Sequence, residues 1–197
     1  MIIKICGIKT KETLLCCEEN RVNFFGMIFY EKSPRNISFI TAKELQTLSK
    51  NLNINGVGVF VNKELKEIIE LINELNLVFV QLHGDEDNSY IKELKKLNVK
   101  IIKKISVGNK MDLDKSKNYT NNDYFLFDYK PQKNELPGGN AKSFDWEIIK
   151  NIGIEKPWFL SGGIKIENIH LIKSEIKPFG IDLSSGLEKK LGIKDNQ

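Results

Sequence analysis

The sequence predicts a single (β/α)8 barrel with a short final helix, an α/β fold of eight parallel strands with helices between them, spanning residues 1–197. Three observations lead there. Short apolar runs alternate with helix-like segments eight times along the chain. The runs are nearly continuous in apolar character, as strands covered on their outer face are. The last two runs, Pro157-Trp158-Phe159-Leu160 and Gly180-Ile181-Asp182-Leu183, both end in small residues, Ser161-Gly162-Gly163 and Ser184-Ser185-Gly186. Small residues let the backbone approach a ligand and turn its N–H groups outward, and a helix beginning there adds its partial positive charge. Paired turns on the last two strand-helix units are where such barrels hold a phosphate. An open doubly wound sheet also alternates, but it carries its glycine-rich turn after the first strand.

In chain order, residues 2–5 form a β-branched strand and 9–21 a polar helix opening at Thr10. Residues 24–30 are the second strand, followed by the loop Ser33-Pro34-Arg35 and a helix over 41–52 with Thr41 as N-cap and Glu44 three residues on. Strand 57–61 precedes helix 63–75, whose Leu65, Ile68, Ile69 and Ile72 share a face. Strand 77–82, helix 89–97, strand 99–107, a weak helix over 111–117 and strand 124–127 follow. After Asp128 a long loop holds Pro131, Pro137, Gly138 and Gly139, and Ser143 is expected to cap a helix over 144–151. A helix over 166–174 separates the last two strands, and the residues after Gly186 leave room only for a short final helix.

Bulk composition excludes more than it selects. The 197 residues are 41% hydrophobic, enough for one buried core, and the net charge of +4 comes from scattered lysines, which does not imply nucleic acid. Three cysteines without CxxC spacing fit a reducing compartment. Neither a signal peptide nor an apolar run of membrane-spanning length is present, so the expectation is a cytoplasmic, soluble protein with no membrane partner.

Period-two alternation selects the polar side chains that face the barrel interior. It turns Lys4 and Cys6 inward on the first strand, Gln81 and His83 on the fourth, Asp128 on the sixth, and Asp182 and Ser184 on the eighth. Cys6, His83, Asp128 and Asp182 stand at the C-terminal ends of their strands, where barrel active sites are built. Three of them also have a plainer reading: Cys6 as a small buried hydrophobe, His83 as a satisfied core histidine, Asp182 as an acceptor for loop amides. Arg35 is one of two arginines among thirty basic residues. An arginine where lysine is the default suggests a planar fork for a carboxylate, against the plainer alternative of a solvated surface residue.

These residues lie in segments that together resemble the phosphoribosylanthranilate isomerase family over essentially the whole chain. The segments are Lys4-Ile5-Cys6-Gly7-Ile8, Ser33-Pro34-Arg35, Val57-Gly58-Val59-Phe60-Val61-Asn62, Gln81-Leu82-His83-Gly84-Asp85-Glu86, Leu136-Pro137-Gly138-Gly139 with Phe144-Asp145-Trp146, Ser161-Gly162-Gly163 and Asp182-Leu183-Ser184-Ser185-Gly186. The resemblance implies an Amadori rearrangement of N-(5-phosphoribosyl)anthranilate in tryptophan synthesis, without metal or organic cofactor. It implies Asp128 as general acid, Cys6 as general base, and Arg35 as the grip on the anthranilate carboxylate. Gln81, His83 and Asp182 are placed as further substrate contacts, and Gly162, Gly163, Ser184 and Ser185 as the phosphate cradle. The acid calls for a raised Asp128 pKa, and Lys4 is expected to lower that of Cys6. The oligomeric state is left as monomer or homodimer.

The chain departs from the family pattern in places. The family usually shows Gly-Gly-Thr-Gly-Lys where Gly138-Gly139-Asn140-Ala141-Lys142 stands, often Thr at Tyr129, and commonly arginine near Ser106. Residues 129–143 remain long enough to form a lid. Rival readings are another phosphosugar isomerase or epimerase, or a phosphosugar-binding barrel without catalysis. An epimerase is expected to offer metal-binding histidines, and the chain has two histidines in all. The sugar isomerase of histidine synthesis favours aspartate where Cys6 stands.

Overall fold

The computed structural model describes residues 1–150 and 153–196, with Lys173 described by its backbone alone. Eight parallel strands close on themselves: β1 (Ile2–Cys6), β2 (Phe24–Phe29), β3 (Asn55–Phe60), β4 (Phe79–Leu82), β5 (Lys100–Val107), β6 (Tyr124–Tyr129), β7 (Trp158–Leu160) and β8 (Gly180–Leu183). β8 returns to β1 with Asp182 opposite Lys4, and this closure brings the two ends of the chain together. Alternation divides the strand residues between two layers. Inward-facing Phe24, Phe79, Tyr124 and Phe159 pack with ring centroids 4.9–6.2 Å apart and fill the lower barrel. Outward-facing Val80, Leu82, Phe125, Phe127 and Ile181 meet the surrounding helices and turns. With an apolar floor in place, the polar inward residues collect at the upper rim.

The outer elements differ in regularity. α1 (Lys11–Glu19) opens at Thr10, whose hydroxyl accepts from the Thr13 amide at 3.2 Å. α2 (Phe39–Ser49) starts earlier than expected, because Ser38 and not Thr41 is the cap: its hydroxyl accepts from the Thr41 amide at 3.1 Å. α3 (Leu65–Leu75) and α4 (Asn88–Lys95) bury Ile68, Ile72, Leu75, Ile91 and Leu94. Beyond β5 the helices give way to single 3-10 segments, Lys110–Asn118 and Trp146–Ile149. The second is capped by Asp145, since the Ser143 hydroxyl donates instead to the Phe144 carbonyl at 2.9 Å. The expected helix end at Asn151 lies outside the described residues. α5 (Ile169–Leu171) runs on into a π turn, Ile172–Ile176.

The C-terminal segment departs most from expectation. Among the described residues its only helical part is the 3-10 turn Ser185–Leu187, after which β9 (Glu188–Lys190) and β10 (Ile193–Lys194) pair antiparallel as a hairpin. Gly192 makes the reversal with a φ of +75°, a conformation that glycine adopts at no steric cost. Among the described residues, no helix is long and apolar enough to cross a membrane.

One buried carboxylate anchors the loop that follows β6. Asp112 accepts from the amides of Gly108 and Asn109 and from Lys130 at 2.9–3.2 Å. Burial pushes its pKa up, but Lys130, the Gly108 amide and Lys115 outweigh that and hold it at about 2. A folded-state pKa below the unfolded value of about 3.9 stabilises the fold above that pH, and the contribution is lost as pH falls through about 2. Asp112→Asn is therefore expected to cost about 2 kcal/mol in urea unfolding at pH 7, and progressively less below pH ~4.

Candidate active site

At the C-terminal rim of the barrel a cavity of about 530 Å³ is lined by Cys6, Arg35, Gln81, His83, Asp128, Asp182 and Ser184, all inferred from the sequence. It adjoins a second hollow of about 400 Å³ lined by Gly162, Gly163, Ser184, Ser185 and Gly186, the two sharing Asp128, Asp182 and Ser184. All ten site residues expected from the sequence thus line one continuous depression. The loop after β6 lies across it, contributing Gly138 and Gly139 to both parts.

Within the depression, two sets of charges are held apart. Lys4 and Asp182, paired across the β1–β8 seam at 2.9 Å, are 0% and 5% exposed. Burial and Asp182 push in opposite directions on Lys4, where Asp182 helps to hold the pKa above the ordinary value, and in the same direction on Cys6. For the Cys6 thiol, burial is the largest cause and raises the pKa above the ordinary thiol range; Lys4 and Lys194 pull it down without winning. The expectation that Lys4 lowers the thiol is thus right in sign and outweighed in size by burial, to which the negative charge of Asp182 adds.

On the opposite side, the Gln81 amide nitrogen lies 2.9 Å from His83 Nδ1, and His83 Nε2 lies 3.5 Å from Asp128 Oδ2. With Gln81 donating, the ring proton sits on Nε2 and faces the carboxyl. Burial lowers the His83 pKa below its ordinary value, so near pH 7 the ring is neutral and the contact with Asp128 is a long polar one, not an ion pair. Asp128 Oδ1 accepts from the Tyr129 amide at 2.8 Å, which fixes the carboxyl plane. Among the described residues Gln81 Oε1 is buried without a hydrogen-bond partner, so the floor of the cavity retains one acceptor for a ligand donor.

The second hollow is built of backbone. Gly162 and Gly163 have φ of +87° and +66°, and a Cβ on Gly162 would come within 2.9 Å of Asp128 Oδ1. Asn168 braces this turn, donating to the Gly163 carbonyl at 2.9 Å and accepting from the Lys165 amide at 2.8 Å. The first regular helical residue is Ile169, so the expected helix start directly behind the glycines is absent. Beyond β8, one 3-10 turn supplies the other wall. The capacity of this hollow for an anion therefore rests on local amides and not on long helix dipoles. The Ser184 hydroxyl is already engaged, donating to the Cys6 carbonyl at 3.0 Å.

Arg35 holds a carboxylate, but one from its own chain. Its guanidinium is 2% exposed and pairs with Glu188 through Nε at 2.6 Å and Nη2 at 2.9 Å. The solvated alternative is excluded.

A model of the N-(5'-phosphoribosyl)anthranilate isomerase family matches residues 3–197. The chain belongs to that family. N-(5'-phosphoribosyl)anthranilate isomerase of Parabacteroides distasonis is 37% identical over 99% of this chain and 88% of its own length. The Bacillus cereus isomerase is 37% identical over 99% and 92%. The crystal structure of phosphoribosylanthranilate isomerase from Thermotoga maritima aligns with a TM-score of 0.89 at 32% identity, covering 100% of this chain and 94% of its own. A further isomerase structure, in complex with reduced 1-(o-carboxyphenylamino)-1-deoxyribulose 5-phosphate, aligns with a TM-score of 0.83 at 30% identity, covering 100% of this chain and 93% of that one.

Three polar residues that brace the lining of this site escape sequence reasoning. Lys104 is 6% exposed and donates to the Pro137 carbonyl at 3.0 Å, tying the loop down beside Asp128. Alternation starting from inward-facing Ile102 would have found it. Glu188 and Lys194 carry no comparable signal, because the hairpin that delivers them has no periodicity long enough to read. Ala141, where the family usually has glycine, is held at a φ of +55°. That conformation costs a Cβ-bearing residue about 1 kcal/mol relative to glycine. Ala141→Gly is expected to raise the Tm by about 2–4 °C in a thermal melt.

Proposed function

We propose that this chain, as one barrel domain, converts N-(5-phosphoribosyl)anthranilate to 1-(2-carboxyphenylamino)-1-deoxyribulose 5-phosphate, the isomerisation of an aldose derivative to a ketose in tryptophan synthesis. The observation that carries this reading is that Cys6 and Asp128, from strands far apart in sequence, line one cavity that runs on into a glycine-built hollow. The hollow takes the phosphate through Gly162, Gly163, Ser184 and Ser185, and the sugar lies between the thiol and the carboxyl.

Asp128 gives its proton to the ring oxygen as the C1–O bond breaks, and the anthranilate nitrogen supplies the electron pair that forms the protonated imine. Cys6, as thiolate, then removes the C2 proton, and the electrons pass to C1 and nitrogen as an enolamine. Tautomerisation to the ketone moves the proton from the Cys6 thiol to C1 and the C2 hydroxyl proton to the Asp128 carboxylate, so both groups are restored and the product is an isomer of the substrate. The raised thiol pKa gives an isolated Cys6 little thiolate. The positive charge of the imine, which forms before the thiolate is needed, favours it together with Lys4 and Lys194. Neutral His83 and Gln81 hold the carboxyl and sugar without competing for the transferred protons, Asp182 contacts a sugar hydroxyl, and Arg35 meets the anthranilate carboxylate.

The test is the loss of anthranilate-type fluorescence on adding phosphoribosylanthranilate to purified protein. Wild type is expected to abolish the signal in a time-dependent way; a binding module or an epimerase would leave it unaltered.

A further inference from the structure

The Arg35 pairing with Glu188 bears on how a substrate carboxylate could be held at all. Glu188 engages the Nε side of the guanidinium, and both of its oxygens are themselves held in place: Oε1 by Lys194 Nζ at 3.0 Å and Oε2 by the Gly192 amide at 3.0 Å. Arg35 and Glu188 are 2% and 4% exposed. Glu188 is kept ionised: burial raises its pKa, but Arg35, the Gly192 amide and Lys194 together bring it below the ordinary value. The opposite edge of the guanidinium, Nη1 with the second Nη2 proton, is turned towards Gly139 in the cavity wall. The Gly139 carbonyl lies 3.4 Å from Nη2, and a Cβ on Gly139 would come within 2.3 Å of Nη1. The hairpin reaches Arg35 closely enough that a Cβ on Gly192 would meet the Pro34 carbonyl at 2.6 Å.

A guanidinium has five N–H donors; the bidentate pair on the Nε side leaves the other edge with only the 3.4 Å contact from Nη2 to the Gly139 carbonyl, which a second planar anion would displace. Arg35, Lys194 and Glu188 also carry two positive charges to one negative, in a buried setting where the excess is poorly screened. An arginine on a loop would otherwise sample many rotamers, and fixing it beforehand lowers the cost of binding. We infer that Glu188, locked by Lys194 and Gly192, is a positioning residue that aims the opposite edge of Arg35 at the substrate, so that the C-terminal hairpin sets specificity for a ring-borne carboxylate. This rests on the assignment of Arg35 to the anthranilate carboxylate made above.

The experiment compares steady-state kinetics on phosphoribosylanthranilate with the binding of two probes: the reduced product analogue bearing the ring carboxylate, and the same compound without it. Wild type is expected to prefer the carboxylated probe by at least about 30-fold. In Glu188→Gln the KM is expected to rise about tenfold, with kcat within about threefold and the preference falling about tenfold, while the carboxyl-free probe binds as before. Lys194→Met, which keeps Glu188 but unties it, is expected to shift the same quantities in the same direction by a smaller factor, and it serves in place of Glu188→Gln should that variant fail to fold. Equal weakening of both probes would reduce Glu188 to a structural role and overturn the inference. So would an unchanged preference in the folded variants. A wild type that binds both probes alike would overturn the Arg35 assignment itself, and the inference with it.

Discussion

Asp128→Asn is expected to lower kcat by 10²–10⁴-fold, the range that a positioned general acid contributes. The replacement is nearly isosteric, and the asparagine oxygen can still accept from the Tyr129 amide that holds Oδ1 now at 2.8 Å. What it lacks is a proton that can be given up to the ring oxygen, so the KM should stay within about threefold while turnover collapses. Cys6→Ser is expected to lose a similar factor by a different route. A serine hydroxyl at that position keeps the size of the side chain but does not ionise at usable pH, and without thiolate the C2 proton stays in place. Single-turnover fluorescence decay on both variants provides the measurement. A kcat within tenfold of wild type in either one would remove that residue from the proton-transfer pair.

The second large effect is on stability. Lys4→Met leaves Asp182 as an unpaired carboxylate that is 5% exposed, and removing one member of a buried pair costs about 3–5 kcal/mol. For a chain of this length that is a fall of roughly 6–20 °C in Tm at pH 7. Burial already places the folded-state pKa of Asp182 above the ordinary carboxylate range with Lys4 beside it, and loss of Lys4 moves it higher. The penalty is therefore full at pH values above that raised pKa and fades as pH falls through it, because Asp182 then takes a proton. Lys4→Met combined with Asp182→Leu is expected to recover most of the stability, since two apolar side chains in place of a buried ion pair are close to neutral for folding. The double variant should still bind substrate poorly, because Asp182 lines both parts of the depression. A Tm for the single variant within about 2 °C of wild type would show that the pair is dispensable.

The barrel was legible because its strands obey a short rule. Alternation at period two puts Cys6, Gln81, His83, Asp128 and Asp182 on the inner face, and all of them line the cavity. The same rule, applied to β5, also turns Lys104 inward, where it ties down the loop after β6. Helices were legible where an apolar face repeats, as in α3, and less so after β5, where short polar segments close as 3-10 turns. The start of α2 differs from the sequence expectation because Ser38 and Thr41 can both cap a helix; only the backbone geometry shows which hydroxyl meets the amide.

What the sequence by itself determined is the closed alternation of strands and helices, the small-residue turns at the end of it, and the identity of the thiol and carboxyl at the rim, since periodicity and residue size are local properties. What the tertiary structure decided is electrostatic. Glu188 meets Arg35 across 153 positions of chain, and Asp182 meets Lys4 across 178. Those pairings, and the burial that lifts the Cys6 thiol despite the cations near it, depend on distances and solvent exclusion that exist only once the barrel has closed.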